Sequence, residues 1–118
     1  MSVIQRSLFL AEKTAGTFDI TIGSAQNLWD FGAPYLPSKN SIVDAIEKID
    51  YRKIQLEEQS IFLSEKGMRL DLGAITKGYA VDKAIDILRE NKIQNALINA
   101  GGDLKSIGQR SDQLNWKV

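Results

Sequence analysis

Asp71 and Lys77 are the side chains in this sequence best suited by type and spacing to hold a phosphorylated ligand. They lie in the run Leu70-Asp71-Leu72-Gly73-Ala74-Ile75-Thr76-Lys77-Gly78-Tyr79-Ala80-Val81-Asp82. A carboxylate accepts hydrogen bonds from a ribose or ring donor, and an ammonium neutralises a ligand oxygen. Leu70 and Leu72 alternate as on one face of a short strand, and Gly73 leads into a long helical pattern, so Asp71, the carbonyls around Gly73 and Lys77 are expected to converge at a strand-to-helix corner. A helix start offers unpaired N–H groups and a positive dipole end, both of which favour phosphate. The competing reading is ordinary packing, with Asp71 on an exposed strand face and Lys77 on a solvated helix face.

The rest of the composition narrows the chemistry. The chain has no cysteine and no histidine, so disulfides, thiol nucleophiles, Cys or His zinc sites and imidazole acid–base catalysis are excluded within these residues. Any metal would be a hard cation held by oxygens, most plausibly magnesium, and any general base would be Asp or Glu. Fifteen basic and fifteen acidic residues cancel, which leaves no electrostatic case for a nucleic-acid partner. No run of eighteen apolar residues is present, and the start Met1-Ser2-Val3-Ile4-Gln5-Arg6 lacks a signal-like pattern. The sequence therefore predicts a soluble piece with no membrane segment, and its 118 residues predict a single domain over 1–118.

The elements that must position Asp71 and Lys77 follow from periodicity. Ile4, Leu8, Ala11 and Ala15 predict a helix over 3–15, ended by Gly16. Phe18, Ile20 and Ile22 alternate with Thr17, Asp19 and Thr21, predicting extended chain with Thr17 and Asp19 opposite Phe18. Trp29 and Phe31 are expected packing anchors before the irregular connection marked by Pro34 and Pro37. Ser41 is expected to cap a helix carrying Ile42, Ala45, Ile46 and Ile49.

Ile54 with Leu56, and the run Ser60 to Ser64, predict a hairpin around Glu57-Glu58-Gln59, after which Met68, Leu70 and Leu72 share a strand face with Asp71 opposite. A helix is predicted from about Thr76 to Asn91, and Gly78 on its stripe predicts a close backbone approach. Gln94 to Ala100 reads as a strand buried on both faces, Gly101-Gly102 as a turn into a strand over 104–108, and Trp116-Lys117-Val118 as the start of another. The expected fold class is α+β, a mainly antiparallel sheet with two to three packed helices.

Taken together, Leu70 to Asp82, Gly16-Thr17-Phe18-Asp19-Ile20-Thr21-Ile22-Gly23, Asn99-Ala100-Gly101-Gly102-Asp103-Leu104 and Asn27-Leu28-Trp29-Asp30-Phe31-Gly32 resemble, in order, the motifs of ApbE-type flavin transferases, enzymes that attach FMN from FAD to proteins. The resemblance runs over essentially the whole chain and corresponds to the middle of a family member. It implies that Thr17, Phe18, Asp19, Asp71 and Lys77 contact FAD, with Thr17 standing where the family usually has a small alanine. It also implies that the backbone carbonyl of Ala74 is a magnesium ligand, and hence that regular helix begins after Ala74, near Thr76.

Asn99 to Asp103 lacks the spacing of a dinucleotide fingerprint, and a plain glycine turn competes with a ligand-facing role. By the same resemblance, a threonine hydroxyl of an acceptor protein attacks the FMN phosphorus of FAD and AMP leaves, with magnesium at the pyrophosphate. The catalytic base is unknown. An aspartate and a threonine that complete the metal shell are expected beyond these residues, so the fragment alone is expected to be inactive. The resemblance further implies an exported, periplasmic or envelope-associated parent in bacteria. The alternative from another class is a non-catalytic FAD-binding module.

Overall fold

The computed structural model describes residues 2–30, 32 and 36–117. The chain divides into two compact units, Met1–Leu72 and Gly73–Val118. Among the described residues, four α-helices, one of them a single turn, and two small antiparallel sheets make this an α+β fold, as the sequence predicts.

The first unit opens with α1, Val3–Lys13, held at its start by a reciprocal capping box in which Ser2 Oγ accepts from Gln5 N–H and Gln5 Oε1 accepts from Ser2 N–H. α1 ends two residues earlier than predicted. Ala15 takes φ 51° and Gly16 φ 81°, and the Gly16 N–H bonds back to Ala11 O at 2.8 Å while Ala15 N–H bonds to Glu12 O at 3.1 Å. This is the paired C-terminal closure usually built on glycine, here with alanine at the first left-handed position.

The extended chain predicted over Thr17 to Ile22 is not formed. Asp19 is extended but caps a one-turn 3-10 helix, Ile20–Ile22, which runs into α2, Gly23–Gln26. The alternation misleads because the Asp19 carboxylate accepts from the Thr21 N–H, and such local side-chain bonds compete with a sheet ladder. α3 spans Lys39–Ile46 and is capped by Ser38, whose Oγ accepts from Ser41 N–H at 3.1 Å; Ser41 therefore sits inside the first turn and is not the cap. Phe31, Pro34 and Val118, named above as an anchor, a breaker and part of a strand, lie outside the described residues.

A second 3-10 turn, Tyr51–Lys53, leads into β1, Ile54–Leu56, which pairs with β2, Ile61–Leu63, in the register Ile54 with Leu63 and Leu56 with Ile61. The predicted hairpin is thus present, closed by Glu57 N–H on Ser60 O at 3.0 Å. The predicted third strand is absent: residues 68–72 have no ladder among the described residues. That segment still delivers its apolar side. Met68 is buried, and Leu70 and Leu72 pack with Phe18, Leu8 and Leu63 around a core of Ile4, Ile20 and Ile54.

The second unit consists of α4, Gly73–Glu90, packed on the hairpin of β3, Ala96–Ala100, and β4, Asp103–Ile107. Val81 and Ile85 are the buried residues of α4. β3 alternates half-buried and exposed positions, and Leu97 is 39% exposed, so it is not buried on both faces as predicted. A two-stranded antiparallel sheet with a helix on one face leaves its other face open. Gly101 and Gly102 turn the hairpin at φ 63° and 102°, conformations that a side chain would strain.

At the C-terminus of α4 the same closure recurs with Lys92 at φ 61° and Ile93 N–H on Leu88 O at 2.9 Å. Lys105 pairs with Asp82 of α4 at 2.5 Å. Residues 115–117 form no strand; instead the Trp116 indole N–H donates to Ile107 O at 3.2 Å.

Candidate functional site

Asp19 has both carboxylate oxygens engaged inside the first unit. Oδ1 accepts from Thr21 N–H at 2.8 Å and from Thr21 Oγ1 at 2.6 Å, and Oδ2 accepts from Tyr51 N–H at 2.8 Å. One side chain thereby caps its own turn and ties it to the turn at Tyr51–Lys53. Phe18 is half-buried against the Ile4–Ile20–Ile54 core, and Thr17 is exposed. Of the Thr17-Phe18-Asp19 trio, the backbone and Thr17 remain the parts open to a ligand.

Beside Asp19 lies an open polar pocket of about 310 Å³, lined by Ala15, Gly16, Asp19, Asp50, Tyr51 and Arg52 among others. The Arg52 guanidinium, 2.8 Å from Asp50 Oδ1, holds the Asp50 carboxyl below the usual carboxylate range, and the Asp50 carboxylate raises Arg52 in turn.

Asp71 is half-buried, and its backbone N–H donates to Ile20 O at 2.7 Å. Its carboxylate accepts from the side-chain amide of Gln26. Gly23 explains how the two segments come so close. A Cβ there would lie 2.8 Å from the Leu70 carbonyl carbon and 2.9 Å from both Arg69 O and Asp71 N, closer than real Cβ contacts allow. Ser24 Oγ adds an acceptor for Arg69 N–H at 3.0 Å. The glycine that ends the Gly16–Gly23 motif is therefore the surface on which the Asp71 segment rests. In the sequence Gly23 stands only as the last letter of a motif, a small residue closing an apolar run, and nothing marks Gln26.

In the second unit, Ala74 and Lys77 occupy the first turns of α4 and both are exposed. The Lys77 side chain passes near Gly101, with its Cδ 3.9 Å from where a Cβ on that glycine would stand. The hairpin turn and the lysine are thus neighbours. Gly78 meets nothing within 4 Å among the described residues, so the close backbone approach predicted for it is absent.

The helix begins at Gly73, not after Ala74. Regular helix therefore starts one residue before Ala74, and the expectation that it begins near Thr76 is not met. No group of three or more metal-ligating side chains occurs among the described residues. The residues present do not by themselves fit a magnesium site.

Helices and small antiparallel sheets in this order are also found within solved flavin transferases. The flavin transferase ApbE from Vibrio cholerae superposes with a TM-score of 0.88 at 25% identity, over 98% of this chain and 39% of that one. The apo flavinyl transferase ApbE from Pseudomonas stutzeri gives 0.89 at 28% identity, over 98% and 40%. A profile of the ApbE family matches residues 1–118, and the chain belongs to that family.

Among curated relatives, an FAD:protein FMN transferase of Treponema pallidum is 29% identical over 99% of this chain and 37% of its own length. One from Klebsiella pneumoniae is 36% identical over 78% of this chain and 30% of its own length. The chain spans about a third of the length of the relatives it matches.

Proposed function

We propose that the protein containing these residues transfers FMN from FAD to a threonine hydroxyl of an acceptor protein, and that residues 1–118 are the central, FAD-contacting part of one transferase domain. The observation that carries this reading is the contact of the Gly16–Gly23 and Asp71 segments through Gly23, since it gathers two of the runs that resemble flavin transferase motifs. In the reaction, the threonine oxygen forms a bond to the FMN phosphorus, the pyrophosphate P–O bond breaks, AMP leaves, and the hydroxyl proton passes to a carboxylate. Thr17, Phe18 and Asp19 supply one wall for FAD. Asp71 accepts hydrogen bonds from it, and Lys77 neutralises a ligand oxygen.

Magnesium dependence is part of the same proposal for the whole protein, with carboxylate and hydroxyl ligands drawn from outside these residues. Export to the bacterial periplasm or envelope, where the acceptor flavoprotein would be modified, belongs with it too. The test is to incubate the full-length protein with FAD, magnesium and an acceptor protein and to follow covalent flavin by in-gel fluorescence and mass. The full-length protein is expected to attach FMN and the 118 residues alone are not. FAD retained without transfer by the full-length protein would replace this reading with a binding module.

A further inference from the structure

We propose that Gln26 is a positioning residue for the flavin substrate, acting through the carboxylate of Asp71. The inference rests on the reading above that Asp71 contacts FAD. Four observations in the first unit support it. The Gln26 amide donates to Asp71 Oδ2, and of the two ends of that amide only the N–H end can face a carboxylate. The Asp71 main chain is fixed independently, by its N–H on Ile20 O at 2.7 Å. The backbone leading into Asp71, from Arg69 O to the Asp71 nitrogen, is seated on Gly23, where no Cβ would fit.

Finally, Gln26 is among the residues that line an apolar pocket with Ile22, Ala25, Trp29 and Ile42, so part of its surroundings is protein and not only water. With the main chain clamped, the remaining freedom of Asp71 is its side-chain torsion, and an amide donor four residues into the neighbouring turn limits that torsion. An aspartate so held presents its acceptor oxygens to a ligand with less ordering left to do on binding.

FAD affinity of the full-length protein, read by fluorescence titration, tests this with a double-mutant cycle. Gln26→Leu keeps the apolar stem and removes the donor. It is expected to weaken FAD binding about threefold to tenfold, the range for the net contribution of one ordinary hydrogen bond, with the melting temperature unchanged. In an Asp71→Ala background the same change is expected to have no further effect. Wild-type affinity in Gln26→Leu, or an equal loss in both backgrounds, overturns the inference.

Gln26→Glu guards against a folding defect in the leucine variant. It preserves shape but sets a carboxylate against Asp71, and is expected to bind FAD more weakly than Gln26→Leu; wild-type-like binding again overturns the inference. If Asp71→Ala itself binds FAD normally, the underlying reading of Asp71 fails, which is a separate result from a loss at Asp71 without one at Gln26.

Discussion

Two glycines in apolar, helix-forming surroundings, Gly23 and Gly78, have opposite structural roles. At Gly23 the main chain of Arg69, Leu70 and Asp71 occupies the space that a methyl group would need. At Gly78, inside α4, nothing among the described residues comes within 4 Å. The first glycine is required by the packing of its own unit. The second is a weak point in a helix that no neighbour among the described residues requires. The contrast separates the part of the candidate site built by the chain itself from the part that leaves surface open.

The sharpest way to break the comparison is Gly23→Ala, which is expected to destabilise the protein by about 2–4 kcal/mol, as overpacking against backbone has no flexible side chain to yield. Urea denaturation monitored by circular dichroism measures it, and a wild-type midpoint would mean that the two segments separate at little cost. Asp19→Asn should come next. It turns an amide N–H toward either Tyr51 N–H or the Thr21 donors, at a cost of about 1–3 kcal/mol for a desolvated donor left unpaired. If its melting temperature matched wild type, Asp19 would be free to serve the ligand instead of the fold.

Gly78→Ala carries the opposite sign, an expected gain of about 0.5–1 kcal/mol from helix propensity alone; a loss on differential scanning calorimetry would mean that something covers this position in the whole protein. The smallest effect concerns the Asp50–Arg52 pair beside the Asp19 clasp. A carboxyl held low in the folded state adds stability above its unfolded pKa, and this is lost as pH falls through the lower folded value. The stability difference between wild type and Arg52→Ala should therefore be slight at neutral pH and disappear under acid, as read from unfolding midpoints across the carboxylate range.

Local signals explain which features were legible in the sequence. Both hairpins were, because Glu57-Glu58-Gln59 and Gly101-Gly102 mark turns between alternating runs. The long helices were legible too, but their C-terminal closures place Ala15 and Lys92 in left-handed conformations where sequence rules expect glycine. The run from Thr17 to Ile22 alternates like a strand, yet Asp19 captures the Thr21 N–H and winds it into a turn. The Leu70–Leu72 alternation correctly set the apolar side inward, while the ladder it suggested never forms.

For the site, Asp19 and Asp71 were recognisable from motif resemblance. Their surroundings were not. The contacts of Ser24 with Arg69 and of Gln26 with Asp71 join positions 45 residues apart, and no pattern of helix or strand spacing encodes them. α4 starts at Gly73, earlier than expected, because that expectation follows from an inferred ligand and not from the helix-forming residues themselves.

The two tryptophans are divided between the units: Trp29 borders the apolar pocket of the first, and Trp116 is anchored to the Ile107 carbonyl in the second. Each unit thus carries its own intrinsic fluorophore. Replacing either indole by phenylalanine leaves an emission signal that belongs to one unit, so a single denaturation series on each variant tells whether the halves melt together or in succession.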